Sequence, residues 1–115
     1  MPAAMASFHI TEEQYRALEA ICKRLDVERL ELFGSATTDA FAIERSDLDF
    51  LVTFISNVEL GPWMAKYFDL QDALEKLFDR PVDLVFPSAL KNPYFIRSVN
   101  ETRRTVYERQ IAEAA

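Results

Sequence analysis

Residues 46–54 read SDLDFLVTF, and the organisation of the chain follows from this stretch. From Leu48 to Phe54 its apolar character is nearly unbroken, the pattern of a strand buried on both faces. Asp47 and Asp49 flank Leu48 at its start. Side chains two apart on a strand point to one face, so these carboxylates lie side by side. Two anions held a few ångströms apart repel, and a divalent cation resolves the repulsion. Hard Mg²⁺ suits such a pair, because it takes one or two carboxylates together with phosphate oxygens of a substrate. An isolated Asp-x-Asp is more often plain surface acidity, so its surroundings decide.

Upstream, Thr11 with Gln14 three residues on forms a capping-box pattern, and Tyr15, Leu18, Cys22 and Leu25 recur at helical spacing. The pattern predicts a helix over 12–25. Leu30 and Leu32 alternate with the charged Arg29 and Glu31, which predicts a half-buried strand over 28–33 ending at Gly34-Ser35. An irregular stretch with a short helix near 37–41 is expected next. Downstream, Gly61-Pro62 opens an amphipathic helix whose stripe is Trp63, Tyr67, Leu70, Leu74 and Leu77, widened by Phe78. Asp79-Arg80-Pro81 stops it, and VDLVF at 82–86 reads as a third strand. Asn92-Pro93 starts a last helix expected to carry Ile96, Val99, Val106 and Tyr107 to the end of the chain. This order predicts an α/β (α+β) domain, a small sheet flanked by helices, with the strand order left open.

The chain has 115 residues, enough for one domain with one core, read as a leader over 1–10 and a single domain over 11–115. No apolar run approaches the roughly 20 residues needed to span a bilayer, and no basic region precedes an apolar stretch at the N-terminus. A cytoplasmic protein without membrane association is expected. Cys22 and His9 stand alone in their types, which excludes an internal disulfide and a Cys/His zinc site made by this chain. A Ser-His-Asp mechanism would have to use His9, in an unanchored leader. Two glycines cannot make a Walker loop or a GxGxxG turn. A net charge of −6 argues against binding to a nucleic-acid backbone, so direct nucleic-acid binding is not expected.

What chemistry remains must come from carboxylates, hydroxyls and basic side chains. Asp83 lies inside VDLVF, and it faces the Asp47/Asp49 position if the two strands are neighbours. Three carboxylates there suit two-metal phosphoryl or nucleotidyl transfer. Gly34-Ser35 supplies the complementary element, since Gly allows close backbone approach and Ser offers a hydroxyl and an N–H to phosphate oxygens.

In chain order, LELFGSA, ERSDLDFLV, LGPWMAKYFDLQDALEKLF, RPVDLV, NPYFIRSV and a late VYE resemble the minimal nucleotidyltransferase (MNT) family. This family is the small branch of the DNA polymerase β-like superfamily, and the resemblance covers residues 28–108. It implies a palm-like mixed sheet that binds ATP or another nucleoside triphosphate with Mg²⁺. It also implies transfer of a nucleoside monophosphate, AMP from ATP, to a hydroxyl acceptor with release of pyrophosphate. By position, Asp47 and Asp49 become catalytic metal ligands, and Asp83 becomes a third ligand and a base for the acceptor hydroxyl. Gly34 and Ser35, helped by the Ser46 hydroxyl, become nucleotide-binding. With no residues to spare for an acceptor domain, the acceptor is expected across an open face or from a partner. In the family that partner is often a HEPN-domain toxin modified on tyrosine. A homo-oligomer is left open. Thr38 and Asp39 stand where many relatives have a basic residue and Gly, which should weaken nucleotide binding. That departure motivates an alternative, an antitoxin that neutralises a HEPN protein by occlusion.

Trp63, Tyr67, Phe68 and Phe78 are read as core at this helical spacing. Tyr94 and Phe95 are read as core or partner packing. Arg97 and Arg104, seven apart, are read as a solvated basic helix face to which Lys91, Arg103 and Arg109 add charge.

Overall fold

Thr11 Oγ1 accepts the Gln14 backbone N–H at 3.1 Å, and Gln14 Oε1 accepts the Thr11 N–H at 3.0 Å. This reciprocal cap starts α1 (Glu12–Arg24), with Glu12 and Glu13 in its first turn and Lys23 and Arg24 in its last. That charge order is the one the helix dipole favours. The computed structural model describes residues 8–37, 47–56 and 58–109, with Trp63 described by its backbone alone. The helix is followed by β1 (Val27–Phe33), β2 (Leu48–Phe54), α2 (Ala65–Phe78), β3 (Val82–Val85), α3 (Pro93–Thr102) and β4 (Arg104–Glu108). A 3-10 turn at Gly34–Thr37 leaves β1, so the short helix expected near 37–41 otherwise lies outside the described residues. Among the described residues no helix is long and apolar enough to cross a membrane.

The four strands form one mixed sheet in the order β3-β2-β1-β4. β1 pairs antiparallel with β2 and with β4, while β2 and β3 run parallel. Alternation divides the strands between two faces. Leu30, Leu32, Leu48, Phe50, Val52, Val82 and Leu84 meet α1 and α2 in the main core. Phe33 and Leu51 meet Val99 of α3 on the other face, with Val85 and Leu90 beside them. The two-sided burial expected of β2 follows from this three-layer arrangement.

The last helix does not run to the end of the chain. It stops at Thr102, where Arg103 turns extended at φ −65 and ψ 142 and its N–H bonds to Val99 O at 2.8 Å. Val106 and Tyr107 are on β4, which covers the free edge of β1. Val99 and Val106 are seven apart and imitate two helical turns. The β-branched and aromatic RTVYE suits a strand, and an open edge on β1 rewards that choice. Arg97 and Arg104 accordingly share no helix face.

Residues 8–10, read as leader, pack on the domain. Ile10 is buried, Phe8 N–H bonds to Ala36 O at 2.8 Å, and the Phe8 ring meets Phe78 edge-on at 5.5 Å. The apolar pair around His9 marks this anchoring. Tyr67 and Phe78 take up the core roles expected of them, whereas Phe68 is 53% exposed and Tyr94 is 82% exposed. Neither of those two is core.

Candidate active site

Phe33, Asp49 and Asp83 form one row across the sheet, Asp49 being the register partner of both. All three point to the face that carries α3. Asp49 is half-buried and Asp83 is exposed at the sheet's edge strand, with Asp47 exposed just ahead of β2. The Asp49 carboxyl is pushed up to about 6. Burial is the largest cause, followed by the Asp83 charge, a hydrogen bond with Asp83, and the Asp47 charge. Asp49 and Asp83 are therefore neighbouring carboxyl groups, each raising the cost of a second charge, with Asp47 close enough to act on Asp49.

Gly34 closes the site from β1. Its φ is +78, and a Cβ placed on it would lie 2.9 Å from Asp49 Oδ2. Only glycine combines that backbone angle with that approach. Its N–H bonds to Thr102 Oγ1 at 2.9 Å, and its carbonyl accepts the Thr37 hydroxyl at 3.1 Å. Ser35, half-buried, follows directly. Ser46, Thr38 and Asp39 lie outside the described residues.

Among the described residues no three His, Cys, Asp or Glu side chains converge into a ready-made cation cage. The Asp49–Asp83 pair offers oxygen donors and an unmet negative charge, with Asp47 acting at longer range. This donor set fits Mg²⁺, which keeps waters and phosphate oxygens in its shell, better than a metal that needs a full protein cage. A cavity of about 340 Å³ lined by Glu19, Lys23, Tyr107 and Arg109 lies at the opposite end of the sheet, away from this chemistry.

A family model described as a nucleotidyltransferase domain matches residues 15–106. The chain belongs to that family. Over 79 residues it is 37% identical to a Methanocaldococcus jannaschii protein that carries the provisional name protein adenylyltransferase MJ0128. The match spans 69% of this chain and 76% of that one. A solved structure described provisionally as a minimal nucleotidyltransferase superposes with a TM-score of 0.61 at 30% identity, covering 80% of this chain and 88% of that one. A structure of tri-AMPylated Shewanella oneidensis HEPN toxin in complex with MNT antitoxin contains a chain of the same fold. Its TM-score is 0.55 at 15% identity, over 85% of this chain and 72% of that one.

Around the carboxylate row this nucleotidyltransferase has a supporting layer that the sequence did not announce. Tyr67, Gln71 and Glu75, one turn apart on α2, hold the outer edge of β3. Tyr67 Oη donates to Leu84 O at 2.6 Å, Gln71 Nε2 donates to Val82 O at 2.8 Å, and Val82 N–H donates to Glu75 Oε2 at 3.0 Å. These bonds bracket Asp83 and satisfy an edge that would otherwise be open. Burial and then the Asp83 charge raise the Tyr67 phenol above its ordinary range. Of the three, only Tyr67 lies in the apolar stripe that marks this helix in the sequence, and Gln71 and Glu75 carry no sign of their partners.

Proposed function

We propose that this nucleotidyltransferase moves an adenylyl group from ATP to a hydroxyl on a protein partner, with a HEPN-domain protein as the first partner to test. The observation that carries the reading is the Asp49–Asp83 contact in register across β2 and β3, with Gly34 packed against Asp49. The provisional name of the 37% identical relative supports the adenylyl group and the protein acceptor.

Asp49 and Asp83, with Asp47, hold Mg²⁺ in this reading, and the turn that Gly34 shapes, through Ser35 and with Ser46, holds the triphosphate. The ion supplies charge neutralisation on the phosphates when bound. The acceptor oxygen forms a bond to the α-phosphorus, the bridging bond to the β-phosphate breaks, and pyrophosphate leaves. The hydroxyl proton passes to Asp83, the more exposed carboxylate of the pair. Positioning and electrostatics account for most of the rate, as is general for this chemistry.

The test is incorporation from α-labelled ATP with Mg²⁺ and a HEPN-domain partner, beside Asp49→Asn. Label on the partner that disappears with the variant is expected. Partner binding and neutralisation without label, equal in both proteins, would overturn transfer in favour of occlusion.

A further inference from the structure

We infer that Thr102 is a positioning residue for the nucleotide turn, fixing Gly34 from the far end of α3. This rests on the reading of Gly34 and Ser35 as the triphosphate site. Thr102 is the last residue of α3 and lies 68 positions from Gly34 in sequence. Its oxygen accepts the Gly34 N–H at 2.9 Å, while its own proton goes back into the helix, toward Ser98 O at 3.0 Å or Val99 O at 3.3 Å. With its proton committed to a helix carbonyl, the hydroxyl presents a lone pair in one direction.

The residues on either side of Thr102 in space keep it there. Arg103 follows immediately and forks onto Glu31, Nε to Oε2 at 3.0 Å and Nη2 to Oε1 at 2.8 Å. Its third nitrogen donates to Asn100 Oδ1 at 2.7 Å. Glu31 is the one buried charged side chain among the described residues, on β1 two positions before Phe33. The fork ties the end of α3 to the same strand whose exit Thr102 controls. Val99, one turn back, is buried against the sheet. Thr102 is thus held by a clamp on one side and by packing on the other.

Gly34 needs this restraint. Glycine at a left-handed φ has many accessible wells, and fixing a single residue's backbone costs about 1–2 kcal/mol of entropy. Thr102 holds the N–H, Thr37 holds the carbonyl, and Asp49 fills the space a side chain would take. The turn is ordered before a ligand arrives, so the ordering is not charged to nucleotide binding. Since the Gly34 N–H is engaged with Thr102, the phosphate-facing donors of the turn lie at Ser35 and beyond. A residue that merely ended the helix would have no reason to reach Gly34.

The experiment compares the full chain with Thr102→Val and Thr102→Ser, and with Thr102→Ala as a second hydroxyl deletion. Glycine-selective ¹⁵N labelling reports Gly34 against Gly61, the two glycines of the chain. Calorimetry gives the Kd of ATP with Mg²⁺, and thermal melting gives Tm. In Thr102→Val and Thr102→Ala the Gly34 amide is expected to lose exchange protection while Gly61 is unchanged. ATP binding weakens about tenfold, the equivalent of one residue's ordering entropy, and Thr102→Ser restores both. Loss of Gly34 protection with ATP binding within about twofold of the parent would leave Thr102 a structural residue and overturn the proposal. An undisturbed Gly34 amide would also overturn it. If the parent protein protects Gly34 yet binds no ATP, the nucleotide reading itself fails and takes the proposal with it. The Gly34 amide separates the two failures because it needs no nucleotide.

Discussion

Asp49 and Asp83 face each other across the parallel β2–β3 pair, each the register partner of the other, with carboxylates near enough to hydrogen-bond. Two parallel strands that each carry an aspartate at their second residue turn a sheet face into an anion pair. The fold stabilises the pair only indirectly, through the α2 side chains that hold β3 and the Gly34 turn that leaves room beside Asp49.

The pH dependence follows from the Asp49 carboxyl, raised from 3.8 to about 6. A folded-state pKa above the unfolded one means that the folded protein binds the proton more tightly between these values. Without metal, this contribution to stability is absent above about pH 6, grows as pH falls, and is complete below 3.8. Asp49→Asn is therefore expected to be more stable than the parent at pH 7.5, by about 1 kcal/mol once solvent screening of a half-buried group is allowed for. The gain should shrink toward pH 4.5. Urea unfolding at the two pH values checks both the sign and the trend.

Mg²⁺ should reverse that ordering. A cation on the pair stabilises the ionised form and, by linkage, the fold. Millimolar Mg²⁺ is expected to raise the Tm of the parent at pH 7.5, to leave Asp49→Asn unmoved, and to have its effect removed by EDTA. An equal rise in both proteins would place the ion elsewhere.

Gly34→Ala combines a strained φ of +78 with a Cβ 2.9 Å from Asp49 Oδ2. A loss of about 1–3 kcal/mol in stability is expected together with loss of ATP binding. Gly61→Ala shares the strain, at φ +88, but its Cβ meets Ala65 Cβ at 3.4 Å and no carboxylate. It should cost stability while leaving Kd for ATP unchanged. Calorimetric titration of the two variants separates strain from crowding of the site.

Much of this was legible in the sequence where one local rule sufficed. The bounds of β2 and the start of α1 follow from apolar run and capping box alone, and the Asp49–Asp83 pairing follows once β2 and β3 are neighbours, whereas Asp47 lies just ahead of β2. Sheet order and β4 were not legible, because strand pairing depends on which edges remain free after folding, and the Val99–Val106 spacing fits a helix equally well. Glu31 misled in a different way. Its place in an alternating strand suggests a solvent-facing side chain, yet α3 covers that face and buries it. Thr102 carries no local signature at all, since its role is defined by a residue 68 positions away.

The buried fork between Arg103 and Glu31 gives the last prediction. Glu31 is 5% exposed, and Arg103 satisfies both of its oxygens. Removing the guanidinium in Arg103→Ala leaves a desolvated carboxylate without a counter-charge, which costs far more than an exposed pair is worth. A loss of about 2 kcal/mol is expected, below the value for a fully enclosed pair because the Arg103 side chain is 34% exposed. The double variant Glu31→Leu with Arg103→Met replaces charge with apolar volume on both sides and should recover most of that loss. Arg29–Glu108, a shorter contact at 2.7 Å but exposed on both sides, is the control and should move stability by less than about 1 kcal/mol when Arg29 is replaced by Ala. Guanidinium unfolding of the three variants orders them. If the double variant were as unstable as Arg103→Ala, the fork would be holding α3 through its geometry and not through charge compensation.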